Sequence, residues 1–204
     1  MRVLALGGIA GPVLFAATVI VCGALRPGYS HVTQFMSELG ETGGSHSWLM
    51  NYGAFMPMGL LVVAFAVSLL WSFPRLTLCM LGAALVAIFG VGTFAAGVFS
   101  CDPGCPHRAL SRAAAMHDYV SYAAFAAGIS APLVWGLHFR SVTPWRSLWV
   151  YSVVSSVGAS VFFVVTAVSV ESRAFTGIWQ RLFLVILYLW CAVVGVRVFR
   201  HYRQ

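Results

Sequence analysis

Three polar segments interrupt an otherwise apolar chain, and they hold most of the side chains that could do chemistry. Carboxylates and imidazoles can exchange protons with a substrate or ligate a metal ion. An arginine guanidinium can bind a phosphate or a carboxylate. The candidate ligand-binding residues in or beside these segments are His31, Ser37, Glu38, Asp102, His117, Asp118 and Arg181.

The pair His117-Asp118 is the most informative of these, because it stands where an apolar span begins. Ionisable groups at the edge of the hydrocarbon are costly, and they are usually functional or paired. Asp118 therefore either pairs with a cation such as Arg181 or takes part in a site. For His31 and Glu38, the alternative to a functional role is the solvated face of an interfacial helix.

Cys101 and Cys105 flank a Pro-Gly turn in the second polar segment. They are four residues apart on a face that is predicted below to lie outside the cell, so a disulfide is expected. A zinc site is the alternative, but it would need further ligands close by. The other three cysteines are dispersed within apolar spans, and no metal site is assigned.

The composition predicts a membrane protein. Of the 204 residues 60% are hydrophobic and only 8% are charged, whereas soluble domains are about 25% charged. Apolar spans of roughly 20 residues match the thickness of a bilayer. The first span is too long in its apolar core for a cleaved signal peptide. The sequence predicts an all-α polytopic membrane protein with one domain over 1–204 and six transmembrane helices at roughly 3–25, 48–71, 76–99, 117–138, 147–170 and 180–199.

An amphipathic outer segment is predicted at about 30–39, lying across the outer mouth of the bundle, and two faces can be assigned to it if it winds as a helix. At about 100° per residue its polar residues share one arc, and its apolar residues share the opposite arc, which would lie on lipid or on other helices. The polar arc contains Ser30, His31, Gln34, Ser37, Glu38 and Glu41, and the apolar arc contains Val32, Phe35, Met36 and Leu39.

A proline and several glycines within the spans are interpreted as packing features. Pro57 is predicted to kink the second helix and to free a carbonyl group that a neighbour must satisfy. Gly90, Gly92 and Gly97 are expected to let the third helix approach its neighbours closely.

The arginines are unevenly divided between the two ends of the predicted bundle. The end with both termini carries seven arginines and no acid. The other end carries five arginines and all five acids, a net charge of 5 − 5 = 0. The positive-inside rule then predicts that both termini are cytoplasmic. No basic cluster exists outside the short loops, so no nucleic-acid partner is expected. The seven arginines are Arg2, Arg75, Arg140, Arg146, Arg197, Arg200 and Arg203.

Several motifs resemble the bacterial domain-of-unknown-function family nine-nine-eight. They are Tyr29-Ser30, Ser37-Glu38-Leu39-Gly40, Pro57, the Gly-x-Phe-x-x-Asp-Pro-Gly run that ends at Gly104, and His117. The resemblance covers the whole chain and implies six membrane helices in the bacterial inner membrane, without implying a reaction. More faintly, Met36-Ser37-Glu38-Leu39-Gly40 resembles the Ile-Ser-Asp-Thr-Gly signature of the Frag1, DRAM and Sfk1 group, whose members are associated with lipid remodelling.

Three functions are compatible with these features. The first is binding of a lipid headgroup or a lipid-linked carrier in a polar pocket on the extracytoplasmic face. Arg181 and His31 would lie near the phosphate of the ligand, and no cofactor is expected. The second is a membrane-embedded lipid hydrolase or transferase, with Glu38, His117 and Asp118 as acid–base residues or metal ligands. The third is a structural or accessory subunit of a membrane complex. The sequence does not indicate whether the chain binds a protein partner or forms a homo-oligomer.

Both site hypotheses require the polar segments to converge. Arg181 is expected to be the countercharge of Asp118, and His31 is expected to lie at the rim of a pocket, less buried than His117. The residues expected to face one common cavity are Ser37, Glu38, Asp102, His117 and Asp118.

Overall fold

The computed structural model describes residues 2–201, which form helices, helical turns and loops but no β-strand. Six helices are long and apolar enough to cross a membrane, as predicted, and the protein is a multi-pass membrane protein. Met1 and residues 202–204, including Arg203 of the predicted basic set, lie outside the described residues. The helices are α1 (Arg2–Leu25), α2 (Ser47–Ser72), α3 (Thr77–Val98), α4 (Arg112–Arg140), α5 (Thr143–Val168) and α6 (Thr176–His201).

The six helices form a ring in chain order. Each packs against its neighbours in sequence, and α1 also packs against α6, which closes the ring. Arg2 and His201 lie at the same end, which we call the terminal end. The opposite end is formed by the loops 26–46, 99–111 and 169–175, and we call it the polar-loop end.

Helix α4 begins at Arg112, five residues before the predicted span. Its first turn is capped, because the Ser111 side chain accepts a hydrogen bond from the amide of Ala114 at 3.1 Å. A serine in this position satisfies an amide that the helix itself leaves without a partner. His117 and Asp118 therefore lie more than one turn inside the helix instead of at its start.

The segment at 30–39 lies at the polar-loop end, but it does not wind as a continuous helix. Residues 30–36 form turns, and only Ser37–Gly40 forms a short 3₁₀ helix. The polar and apolar arcs that a helix would have are therefore not separated. Glu38 and Glu41 of the polar arc are buried, and so are Met36 and Leu39 of the apolar arc.

Local side-chain hydrogen bonds accompany the irregular path of this segment. The amide of Ser30 donates to the side-chain oxygen of Gln34 at 2.8 Å, and the Ser30 hydroxyl accepts from the amides of Val32 and Thr33. Such bonds offer the backbone an alternative to the helical ladder. The amide of Phe35 donates to the Glu38 carboxylate at 3.0 Å, which extends the irregular path.

Pro57 is accommodated by a wider helical turn. Asn51–Phe55, directly before it in α2, forms a π-helical segment. A proline cannot donate to the carbonyl group four residues earlier, which here belongs to Gly53. The hydroxyl of Thr18 on α1 donates to that carbonyl at 3.4 Å. The prediction that a neighbour would satisfy the freed carbonyl is therefore confirmed.

Helices α2 and α3 meet through facing glycines. A Cβ atom added at Gly59 would lie 2.5 Å from the carbonyl oxygen of Gly90, and one added at Gly90 would lie 2.8 Å from that of Gly59. No side chain fits in that space, so this pair sets the distance between the two helices.

Candidate ligand-binding cavity

A buried carboxylate organises the polar-loop end. Glu38 is only 3% exposed. Its carboxylate forms a 2.6 Å ion pair with Arg173 and accepts a 2.7 Å hydrogen bond from the side-chain amide of Gln34. A buried charge is tolerated when it is both paired and hydrogen-bonded. The Glu38 carboxylate is therefore committed to holding the first loop.

Arg173 joins all three loops of this end. Besides its ion pair with Glu38, it donates to the carbonyl oxygens of Gly104 at 2.7 Å and Cys105 at 3.1 Å. Its guanidinium carbon lies 5.0 Å from the centre of the Phe35 ring, in a cation–π contact. Arg173 has φ 54, a strained value for a side chain of this size. The tertiary contacts hold it there.

A second ion pair supports the same loops. Arg26 at the end of α1 pairs with Glu41 at 2.6 Å, and Glu41 also accepts from the amide of Gly104 at 2.6 Å. Arg26 donates in addition to the backbone carbonyl of Glu38. The first and second loops are thus connected both through Arg173 and through Glu41.

Asp102 fastens the second loop to the start of α4. Its carboxylate accepts from the amides of Leu110 at 2.7 Å and Ser111 at 3.0 Å. Hydrogen bonding from the Ser111 side chain and from the Leu110 amide stabilises the ionised form, so the pKa of Asp102 is lowered. Its geometry is that of a loop anchor, and it does not line the cavity described below.

The Cys101 and Cys105 side chains are joined in the turn between these contacts. Their sulfur atoms are at bonding distance, as predicted, with the two Cα atoms 5.2 Å apart. The Ser37 hydroxyl lies 3.6 Å from the sulfur of Cys105, so the turn packs directly on the first loop. Cys22, Cys79 and Cys191 are buried and unpaired, as their positions in the spans predicted.

Beneath these loops lies a cavity of about 140 Å³ inside the ring of helices. Residues 35–37 and 105–107 cover it. Its walls carry many aromatic rings, among them Phe125 and Phe183, whose centres are 4.9 Å apart. An apolar cavity on the order of 150 Å³ admits a benzene-sized ligand. The space therefore fits one end of an amphiphile and not a whole lipid.

The cavity reaches the surface between α4 and α5. Three of its lining residues are also exposed: His107 in the second loop, Tyr122 on α4 and Ala167 on α5. Tyr122 is 58% exposed. These three residues place an edge of the cavity at the surface of the protein.

His117 lies in the wall, held in a fixed orientation. It is 6% exposed, and its Nδ1 atom is 2.7 Å from the carbonyl oxygen of Phe99 and 3.2 Å from that of Ala96. Two acceptors at Nδ1 require that this atom carry the proton, which leaves Nε2 of the neutral ring as an acceptor. His31 is less buried than His117, which confirms the predicted order.

Asp118 also lines the cavity, but the predicted ion pair with Arg181 is wrong. Arg181 donates instead to the carbonyl oxygens of Gln34 and Gly177, to the Tyr29 hydroxyl at 2.7 Å and to Nδ1 of His31 at 3.0 Å. Neutral acceptors thus satisfy this guanidinium. Burial, and then the charge of Arg181, lower the pKa of His31.

The structure divides the predicted site residues into three groups. Ser37, His117 and Asp118 line the cavity; Glu38 and Asp102 hold the loops above it. His31 and Arg181 form a separate pair beside it. Within residues 2–201, no three His, Cys, Asp or Glu side chains are grouped so that they could hold a metal ion.

Sequence reasoning missed most of the lining. Ser121, Tyr122 and Phe125 follow Asp118 by three, four and seven residues, the spacing of one helix face. On α6, Gln180 begins a similar face, which continues to Phe183, Leu184 and Tyr188. The side-chain oxygen of Gln180 also accepts a hydrogen bond from the amide of Met36 at 2.8 Å. That periodicity, extended inward from Asp118, was the signal that could have found the wall.

The comparisons with known proteins identify a family without an activity. A family model described as "Protein of unknown function (DUF998)" matches residues 9–197. No curated protein and no solved structure matches the chain. The fainter likeness to the Frag1, DRAM and Sfk1 group is not supported by these comparisons.

Proposed function

The chain belongs to the DUF998 family of proteins of unknown function, and because the family supplies no activity, we propose from the structure of this chain that it binds the polar end of a membrane lipid or lipid-linked carrier. The observation that carries the proposal is the cavity at the polar-loop end. It combines an aromatic wall with His117, Asp118 and Ser121, and it opens toward the bilayer between α4 and α5. Pockets of this composition orient an apolar ligand through a few polar groups.

The loops above the cavity support binding from the membrane. Phe35, Met36 and Ser37 cover the cavity, and Arg173 and Gln180 fix this cover through the ion pair with Glu38 and the bond to the Met36 amide. The cover lies over the cavity on the loop side, and the exposed residues of α4 and α5 mark a lateral route for a lipid. This arrangement suits a molecule that already lies in the bilayer.

We assign this end of the protein to the extracytoplasmic face, because the terminal end carries the arginine excess. Reporter fusions at Pro74, Ser141 and Gln204 are expected to report the cytoplasm. A periplasmic signal at Gln204 would contradict this orientation, while leaving the binding proposal intact.

Photolabelling tests the binding itself. The purified protein is reconstituted into phosphatidylglycerol vesicles that contain a small fraction of a phosphatidylcholine whose choline headgroup carries a diazirine. Illumination is expected to place adducts on cavity residues such as Phe125 and Phe163. Adducts confined to the lipid-facing surface of the helices would refute the proposal.

A pair of variants on α5 provides the control. Ala167→Trp places a large ring at the opening and is expected to reduce the cavity adducts several-fold. Val168→Trp adds the same ring one residue further on, at a position that is 75% exposed and does not line the cavity. Equal loss of labelling in both variants would mean that the opening between α4 and α5 is not the route.

A further inference from the structure

Asp118 is the charged residue of the cavity. Among the lining residues, all of which belong to the described part of the chain, it is the only acid, and neither lysine nor arginine occurs. Its side chain is half-buried and forms no hydrogen bond or salt bridge with any residue in 2–201. A partly desolvated carboxylate that has no arginine or lysine beside it, and only the imidazoles of His117 and His107 nearby, favours the arrival of a cation.

Three of the five arginines of the polar-loop end are directed at other partners. Arg26 pairs with Glu41, and Arg173 pairs with Glu38. Arg181 donates to two carbonyl groups, a phenol and an imidazole. None of these three lines the cavity, and neither do Arg108 and Arg112, which are exposed at the same end. A phosphate placed there would therefore meet Asp118 with no arginine to neutralise the repulsion.

The aromatic wall adds a second feature that favours positive charge. The faces of aromatic rings attract ammonium groups, and quaternary ammonium ligands are recognised in this way. Tyr122 lies one helical turn from Asp118 on α4, and Phe125, Phe163 and Phe183 continue the wall inward. Rings beside one unpaired carboxylate form the kind of site that holds an organic cation.

We infer that the cavity selects amphiphiles whose polar end is an ammonium or quaternary ammonium group, with Asp118 as the countercharge. This inference rests on the proposed function, because it names the headgroup chemistry of the same cavity. It replaces the expectation that Arg181 and His31 bind a phosphate there. Arg181 and His31 contact each other beside the cavity, and neither contributes to its wall.

Three water-soluble probes of matched size test the charge preference. Benzyltrimethylammonium, benzyl alcohol and benzyl phosphate carry one ring and a positive, neutral or negative group. Each is titrated calorimetrically into the wild-type protein in maltoside micelles at about pH 8, where ordinary imidazoles are uncharged. The cation is expected to bind about tenfold more tightly than either of the others. Equal affinities, or a preference for the phosphate, would overturn the inference.

Two variants identify the residue responsible. Asp118→Asn is expected to lower the affinity for the cation about tenfold and to remove the preference over benzyl alcohol. Glu171→Gln removes the same charge from an exposed position at the same end and is expected to keep the preference. An unchanged preference in Asp118→Asn would overturn the assignment to Asp118.

The outcomes separate this inference from the proposed function. The comparison of probes uses the wild-type protein and does not depend on the folding of a variant. If the photolabelled lipid enters the cavity while the three probes bind equally, the cavity binds lipid without charge selection, and only the inference fails. If neither the lipid nor the cation enters, both fail.

Discussion

The two ends of the helical ring are closed by different interactions. At the polar-loop end, two ion pairs and a set of side-chain hydrogen bonds hold irregular loops over a cavity. At the terminal end, aromatic rings pack against one another: the ring centre of Phe73 lies 4.8 Å from that of Trp135 and 4.7 Å from that of Trp145. Phe139 stacks on Trp145 at 5.6 Å.

This difference shows how a small membrane protein can combine a rigid base with an open site. Rings in contact fill space and contribute stability mainly through burial and dispersion, with a smaller gain from edge-to-face and offset arrangements. Loops that must leave a cavity beneath them cannot be held by such packing. They are held by charge pairs, which act at defined points and leave space between them. The comparison predicts large stability effects at the terminal end and smaller, charge-dependent effects at the polar-loop end.

The largest effect is expected from Trp135→Ala at the terminal end. Trp135 is fully buried and contacts the rings of Phe73 and Phe139. Its truncation should lower the free energy of unfolding by about 3–5 kcal/mol, because it removes buried area and leaves a cavity. Unfolding in mixed micelles measures this. Trp71→Ala, at a position that is 63% exposed, is the control and should change little. Equal losses in the two variants would contradict the ring-packed base.

The next effect is expected from Arg173→Gln, which leaves the buried Glu38 carboxylate without its ion pair. The free energy of unfolding should fall by about 1–3 kcal/mol. The double variant Glu38→Gln with Arg173→Gln should recover part of this loss, because no unpaired charge remains. Arg112→Gln, at an exposed position of the same end, is the control. A double variant less stable than Arg173→Gln alone would mean that desolvation of Glu38 is not the cause.

A smaller effect is expected on stability at low pH, where Asp102 becomes protonated. Its pKa is lowered in the folded protein, so its contribution to stability is present above the ordinary value of about 3.8 and is lost as the pH falls through the folded value. Asp102→Asn should flatten the decline of stability between about pH 5 and about pH 3. Glu171→Gln, which is exposed, should leave the decline unchanged. An unaltered slope in Asp102→Asn would remove Asp102 as the acid-sensitive anchor.

The smallest effect concerns His31. Because its pKa is lowered, the unfolded chain takes up a proton first as the pH falls below the ordinary value of about 6.5, and stability is lost in that range. His31→Asn keeps an acceptor for Arg181 and should reduce the difference in melting temperature between about pH 7.5 and about pH 5.5. His46→Asn is the control, since His46 is exposed and asparagine tolerates its φ of 59. If both variants reduce the difference in melting temperature equally, the sensitivity of stability to mild acid does not come from His31.

The sequence by itself determined the membrane fold. Apolar runs of bilayer length must form helices in lipid, because each backbone group needs a partner within its own segment. The six helices therefore lie within five residues of the predicted spans. The joined pair Cys101 and Cys105 was also predictable, because four residues and a Pro-Gly turn bring the two together without help from distant contacts.

The tertiary structure alone decided which polar residues face the cavity. Glu38 and Arg173 are 135 residues apart, and Arg181 and His31 are 150 apart. No local periodicity predicts which of several arginines reaches which acceptor. The segment at 30–39 shows the same limit, since the Glu38 side chain pairs with Arg173 of a distant loop and the Met36 amide donates to Gln180 on α6. Residue types and membrane depth set which groups must find partners, and the packing of six helices set which partners were within reach.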